Sequence, residues 1–144
     1  MRIISLDYGS RTVGVAVTDG LGMTVSCVET IVRKEENKLR RTCARIEELV
    51  KEYGAEMIVV GNPLNMDGTE GERSQLAREF AQMIKRRTGL ETAFVDERLT
   101  TVEAEEILRE NGTPAEDMKK KVDQVAAVLI LEDYLSRQEE TEYV

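Results

Sequence analysis

Three short β-branched runs separated by tight turns fill the first 32 residues, and every later strand-like run follows a helical one. Met1–Asp7 is apolar and ends in an acid, and Gly9-Ser10-Arg11 turns the chain into Val13–Val17. Asp19-Gly20 is a hairpin signal, and Met23–Val32 alternates through Val25, Cys27 and Ile31 with an interruption at Glu29. Three strands joined by such turns form an antiparallel meander. Then the period changes. Leu39, Cys43, Ile46, Leu49, Val50 and Tyr53 recur at helical spacing up to Gly54, a suitable residue for a left-handed helix end. Met57–Val60 reads as a fully buried strand and Gly61–Gly71 as a loop. Leu76, Ala77, Phe80 and Ile84 mark a second helix ending near Gly89. Thr92–Val95 is a fifth strand, closed by Asp96-Glu97. A third helix, capped by Thr100 or Thr101, stops at Asn111-Gly112, and Lys121–Leu135 is the last. A strand reached through a helix pairs in parallel. The expectation is an α/β fold of order βββαβαβαα: a mixed five-stranded sheet, three strands antiparallel and two parallel, flanked by helices.

The chain has 144 residues, within the range of one domain. No linker or repeat divides it, so one domain is expected over residues 1–136, followed by a short acidic tail at 137–144. The longest apolar run, Val125–Leu131, is far short of the ~20 residues a membrane helix needs. Asp7 comes too early for a signal peptide, so a cytoplasmic protein without membrane contact is expected. Cys27 and Cys43 sit in apolar patterns and read as two buried thiols.

There is no histidine. That removes histidine-based triads, histidine general bases and histidine zinc sites together. Chemistry is left to carboxylates, hydroxyls, Lys, Arg, backbone amides and oxygen-preferring metals. With 20 basic and 28 acidic residues the net charge is −8, which opposes non-specific nucleic-acid binding. The positive charges are clustered, however, at Arg33-Lys34, Arg40-Arg41, Lys85-Arg86-Arg87 and Lys119-Lys120-Lys121. A local basic track remains possible on an acidic protein.

Four segments are placed to carry chemistry. Asp7 ends a strand beside a glycine-bearing turn whose amides could cradle a phosphate. It also suits an ordinary hairpin with an exposed acid. Asp96 and Glu97 follow a buried strand and point to opposite faces, so one can face a site while the other only turns or caps. Asp123 precedes the apolar stretch Val125–Leu131 and must be paired, capped or metal-bound, unless it merely complements the start of its helix. The loop Gly61–Arg73 follows a parallel strand, where α/β folds place ligands. Gathered at one end of the sheet, three acids would repel one another unless a cation sat among them. Such a cation, Mg²⁺ or Mn²⁺, polarises a phosphodiester and activates water.

The segments Asp7-Tyr8-Gly9 to Gly14-Val15-Ala16-Val17, Gly61-Asn62-Pro63-Leu64-Asn65-Met66-Asp67-Gly68, Asp96-Glu97-Arg98-Leu99-Thr100-Thr101 and Asp123 to Ala127 resemble the YqgF family, also called RuvX. The resemblance covers about residues 1–136, with all motifs in order. It implies an RNase H-like fold and a nuclease, described within the family as a Holliday junction resolvase or as maturing the 5′ end of pre-16S ribosomal RNA. By resemblance Asp7, Glu97 and Asp123 are the catalytic, metal-binding triad, with Asp96 a further candidate ligand. Asn62, Asn65, Arg73, Arg98, Lys119, Lys120 and Lys121 are candidates to hold a nucleic-acid backbone. The partner expected is structured RNA of a ribosomal precursor, or branched DNA, bound by a monomer or homodimer. Two other readings compete. Asp7-Tyr8-Gly9-Ser10-Arg11-Thr12 also looks like the first phosphate loop of the actin and sugar-kinase superfamily, but one domain cannot close around ATP. A non-catalytic RNA-binding assembly factor is the other, disfavoured by acidity and by only 4 Tyr and 2 Phe for base stacking.

Overall fold

A computed structural model describes residues 1–97, 100–137 and 142–144; of the side chains in those segments, Thr100, Thr101, Lys119, Lys120 and Glu142 fall outside the description. The elements are β1 (Ile3–Tyr8), β2 (Thr12–Thr18), β3 (Val25–Val32), α1 (Arg40–Tyr53), β4 (Met57–Asn62), α2 (Glu72–Thr88), β5 (Glu91–Asp96), α3 (Thr100–Glu110), α4 (Ala115–Ser136) and β6 (Glu142–Tyr143). All five expected strands are present, in the sheet order β3-β2-β1-β4-β5-β6. β1, β2 and β3 form the antiparallel meander, and β4 and β5 pair in parallel with β1 and with each other.

The strict alternation of strand side chains divides the core into two layers. Ile4, Leu6 and Tyr8 of β1, with Val13 and Val15 of β2, face α1 and α2 and pack with Ile46, Leu49, Phe80 and Ile84. On the other face Ile3, Met57, Val59, Ala93 and Val95 pack under Ile130, Leu131 and Tyr134 of α4. Ser5 shares the parity of Ile3, and its hydroxyl donates to the Ala127 carbonyl at 2.6 Å. Asp7 is next in that series, so the sheet's alternation brings it to the α4 side.

Helix ends follow local chemistry. Gly54 and Gly89 close α1 and α2 in the left-handed region at φ 63° and 71°. α4 is longer than the expected 121–135. It starts at Ala115, with Pro114 at its N-cap and Glu116 and Asp117 in the first turn to complement the dipole. Asp123 and the Lys119–Lys121 run therefore lie inside the helix and not at its start. β4 extends beyond Val60 through Gly61 and Asn62, which pair with Val95 and Asp96. Cys43 is buried as expected, but Cys27 is exposed, because β3 is an edge strand. The acidic segment 137–144 ends in β6, antiparallel to β5 through Ala93↔Tyr143 and Phe94↔Glu142. The expected cap at Thr100 or Thr101 lies outside the described side chains.

Candidate active site

The end of the sheet where β1, β4 and β5 finish opens into a cleft of about 420 Å³, lined by Asp7, Arg73, Glu97 and Asp123 with the turn residues Tyr8, Gly9 and Ser10. The three acids arrive from three elements. Asp7 ends β1, Glu97 follows β5 directly, and Asp123 projects from α4.

Two glycines let them meet. Opposite Asp7 in the sheet is Gly14 of β2, and a Cβ there would lie 2.0 Å from the Asp123 carbonyl oxygen. Its absence allows α4 to rest directly on β2 at the level of Asp123. A Cβ on Gly61 would lie 2.7 Å from the Glu97 carboxylate and 2.6 Å from Ile130 Cδ1. The Glu97 side chain thus occupies space that any other residue at 61 would take. The Glu97 amide donates to the Asn62 carbonyl at 3.1 Å, which holds the chain in place just past the strand end.

Alternation also separates the neighbouring acids. Glu97 continues the series Ala93, Val95 toward α4, is buried and lines the cleft, whereas Asp96 is exposed and does not line it. Asp7 and Glu97 are in side-chain hydrogen-bonding contact. Burial is the main reason the Asp7 carboxyl is pushed up to about 6; the contact with Glu97 lowers it, Asp123 raises it and Arg73 lowers it. Asp123 accepts a short hydrogen bond from the Thr12 hydroxyl. Among the described residues no three acids converge closely enough to chelate an ion as they stand, because Asp123 is turned toward Thr12.

The donor set nevertheless has the chemistry of a divalent-cation site. Two carboxyl groups are in contact under partial desolvation, a third lies within electrostatic reach, and all donors are oxygens. A hard cation among them would offset the mutual repulsion of the ionised carboxylates. Asp7, Glu97 and Asp123 are the residues that would hold it.

A positive wall flanks the acids. Arg73, in the first turn of α2, lines the cleft and is ion-paired with Glu36. Its guanidinium lies 5.7 Å from the Tyr8 ring centroid. Arg33 was prominent in the sequence only as part of a basic pair, yet it braces the turn. It is 7% exposed, its Nη2 donates to the Gly9 carbonyl at 2.6 Å, its Nε donates to the Glu36 carbonyl at 3.1 Å, and it lies 4.8 Å from the Tyr8 centroid. Tyr8 stacks on Phe80 with centroids 4.4 Å apart. A buried arginine held by carbonyls fixes the strand end that carries Asp7. No local motif marks that role, since its partners come from the β1–β2 turn and the segment before α1.

The remaining expected nucleic-acid residues are placed differently. Asn62 is buried, and its side-chain oxygen accepts from the Ser74 hydroxyl at 2.5 Å. It ties the end of β4 to α2. Asn65 lies in the exposed loop, where its amide donates to Thr69 Oγ1 at 3.0 Å and its carbonyl accepts from the Gly68 amide at 2.8 Å. Lys121 is exposed on α4. Arg98 lies outside the described residues, as do the side chains of Lys119 and Lys120.

Comparison with known proteins agrees with this architecture. The sequence profile described as "RuvX: Holliday junction resolvase" matches residues 1–137. Relatives from Lachnospira eligens and Agathobacter rectalis, each named "Putative pre-16S rRNA nuclease", are 57% and 53% identical over 135 residues. The alignments cover 94% of this chain in both cases and 96% and 94% of the relatives. Among solved structures, RuvC of T. thermophilus in complex with a Holliday junction substrate superposes with a TM-score of 0.62 at 12% identity, over 100% of both chains. Free Thermus thermophilus RuvC gives 0.59 at 14%, again over 100% of both. The fold is RNase H-like.

Proposed function

Because the chain belongs to the RuvX family, we propose that it is a metal-dependent nuclease that processes the 5′ end of pre-16S ribosomal RNA in the cytoplasm. The observation that carries the chemistry is the convergence of Asp7, Glu97 and Asp123 on one cleft, with an arginine at its wall. The ribosomal substrate rests on the names of relatives that align over nearly their whole length.

Asp7, Glu97 and Asp123 would hold Mg²⁺ or Mn²⁺. A divalent cation bound there supplies Lewis-acid polarisation of a phosphodiester and a more acidic water. Arg73 brings the positive charge that can face a phosphate oxygen. Its pair with Glu36 is partly exposed, so a phosphate can replace the carboxylate at small cost. Arg33 holds the Gly9 carbonyl and keeps the β1–β2 turn in position beneath the substrate. Thr12 orients the Asp123 carboxylate.

The deciding assay incubates the purified protein with Mn²⁺ and a precursor 16S 5′ fragment, and in parallel with a synthetic four-way DNA junction. Cleavage of the RNA alone supports this reading. Cleavage of the junction alone replaces the substrate while keeping the site.

Metal binding has its own readout. Mn²⁺ at about a hundred times its Kd should stabilise the fold by about 2.7 kcal/mol, since the ion binds only the assembled carboxylates. For a chain of this size that is a rise in Tm of about 5–10 °C. Asp123→Asn should lose most of the rise. Equal shifts in the two proteins, followed by differential scanning fluorimetry, would remove Asp123 from the site.

A further inference from the structure

The catalytic cleft does not end at the carboxylates. Gly9, Ser10 and Asp123 are shared with a second, larger cleft of about 930 Å³ that runs from the β1–β2 turn between α3 and α4. Its lining includes the carboxylates of Glu105 and Asp123, and two further features bear on a nucleic-acid strand. Arg11, from the turn, and Arg109, in the last turn of α3, supply positive charge. Met118 and Val122, one helical turn apart on α4, supply an apolar strip immediately beside Asp123.

We propose that this second cleft is the seat of the nucleotides flanking the cleaved bond on one side, with Arg11 and Arg109 holding successive backbone phosphates and the Met118–Val122 strip receiving a base. The proposal rests on the nuclease reading and adds to it the path of the strand. Gly9 and Ser10 form one way out of the site for a strand whose phosphate sits at Asp7 and Asp123, and the larger cleft begins there. Its volume suits one or two nucleotides, within the range of small-ligand sites.

Charge argues the same way. On a chain of net charge −8, a phosphate path needs cations that are not already neutralised. Arg11 is exposed and has no ion pair among the described residues. Among the described residues Arg109 is paired only with Glu105, at 3.4 Å and largely in water, a contact weak enough for phosphate to displace. The apolar strip serves a base without an aromatic platform, since a thioether and a branched aliphatic side chain pack against a base face through dispersion.

The test uses RNAs cleaved by the wild-type protein with Mn²⁺, carrying either one or six nucleotides on each side of the cut. The variant is Arg11→Ala with Arg109→Ala; both residues are exposed, so the fold should be retained. On the long RNA the variant should raise KM about tenfold while kcat changes less than twofold. Removing two phosphate contacts should flatten the salt dependence of single-strand binding by about 1.4 in log–log slope. The KM penalty should shrink when the flank on one side is trimmed to a single nucleotide and persist when the other is trimmed. Met118→Ser should show the same one-sided dependence. A penalty independent of both flanks, or an unchanged KM on the long RNA, would overturn the proposal. If wild type cleaves none of the RNAs, the RNA-substrate reading fails on its own, and the cleft is then judged by binding of the six-nucleotide-flanked RNA to Asp7→Asn. Equal binding with and without the two arginines in that background refutes it.

Discussion

Asp7→Asn is expected to abolish cleavage while leaving the protein at least as stable at neutral pH. The two effects have one cause. Asp7 stands where burial, with a neighbouring charge at Asp123, pushes its carboxyl from 3.8 up to about 6. The folded protein therefore holds the Asp7 proton more tightly than the unfolded chain. Between about pH 4 and pH 6 the native state binds more protons, so stability falls as pH rises and levels off above 6. At 1.36 kcal/mol per unit, the ionised carboxylate costs the metal-free fold about 2–3 kcal/mol at neutral pH. Asparagine carries no such charge. Its Tm should be equal to or above wild type at pH 7.5 and should lack the decline between pH 4 and 6. Cleavage should drop to background, because the amide is a far poorer ligand for a hard cation. Thermal melts across pH, run beside the Mn²⁺ cleavage assay, read both effects. Retained cleavage by a folded Asp7→Asn protein would end the nuclease reading.

How much of this was legible in the sequence depends on the range of the contacts involved. The meander was plain because its alternation and turns are local, and α1 was plain because Gly54 follows a clean helical period. The start of α4 was hidden. Glu116, Asp117 and Lys119–Lys121 carry no apolar period, so the signal began only where the helix becomes buried. That error placed Asp123 near a helix start, where dipole complementation alone could explain it; its interior position removes that explanation. Which of Asp96 and Glu97 lines the cleft was within reach once the face covered by α4 was known, since Glu97 shares the parity of Ala93 and Val95. β6 has only two residues, too few for any periodic signal. The bracing of the Gly9 turn by Arg33 and the two crowded glycines could not be found locally, since Gly9 and the atoms facing the glycines lie on distant segments.

Gly14→Ala is expected to be the most destabilising small substitution near the site. The added methyl would meet the Asp123 carbonyl at 2.0 Å and its carbonyl carbon at 2.4 Å. Both are backbone atoms inside a helix, so no rotamer change relieves the contact. Either α4 lifts from β2 or β2 bends away from it. α4 also carries Ala126, Ala127, Ile130 and Leu131, all fully buried, so lifting it loosens one whole face of the sheet. Overpacking a core usually costs about 1–3 kcal/mol, and a rigid backbone clash belongs at or above the top of that range. A loss of about 3 kcal/mol or more corresponds to a fall in Tm of roughly 6–12 °C. Gly61→Ala offers the contrast. Its methyl would meet Ile130 Cδ1 and the Glu97 carboxyl, which are side-chain ends that can rotate. Its stability cost should be smaller, about 1–2 kcal/mol by the same reasoning. The relief, however, moves Glu97 out of the cleft, so cleavage and the Mn²⁺-induced rise in Tm should both fall sharply in a protein that still folds. The pair thus separates two uses of a missing Cβ, seating a helix and seating a carboxylate. A Gly61→Ala protein with a wild-type Mn²⁺ response would show that Glu97 is not held where the metal binds.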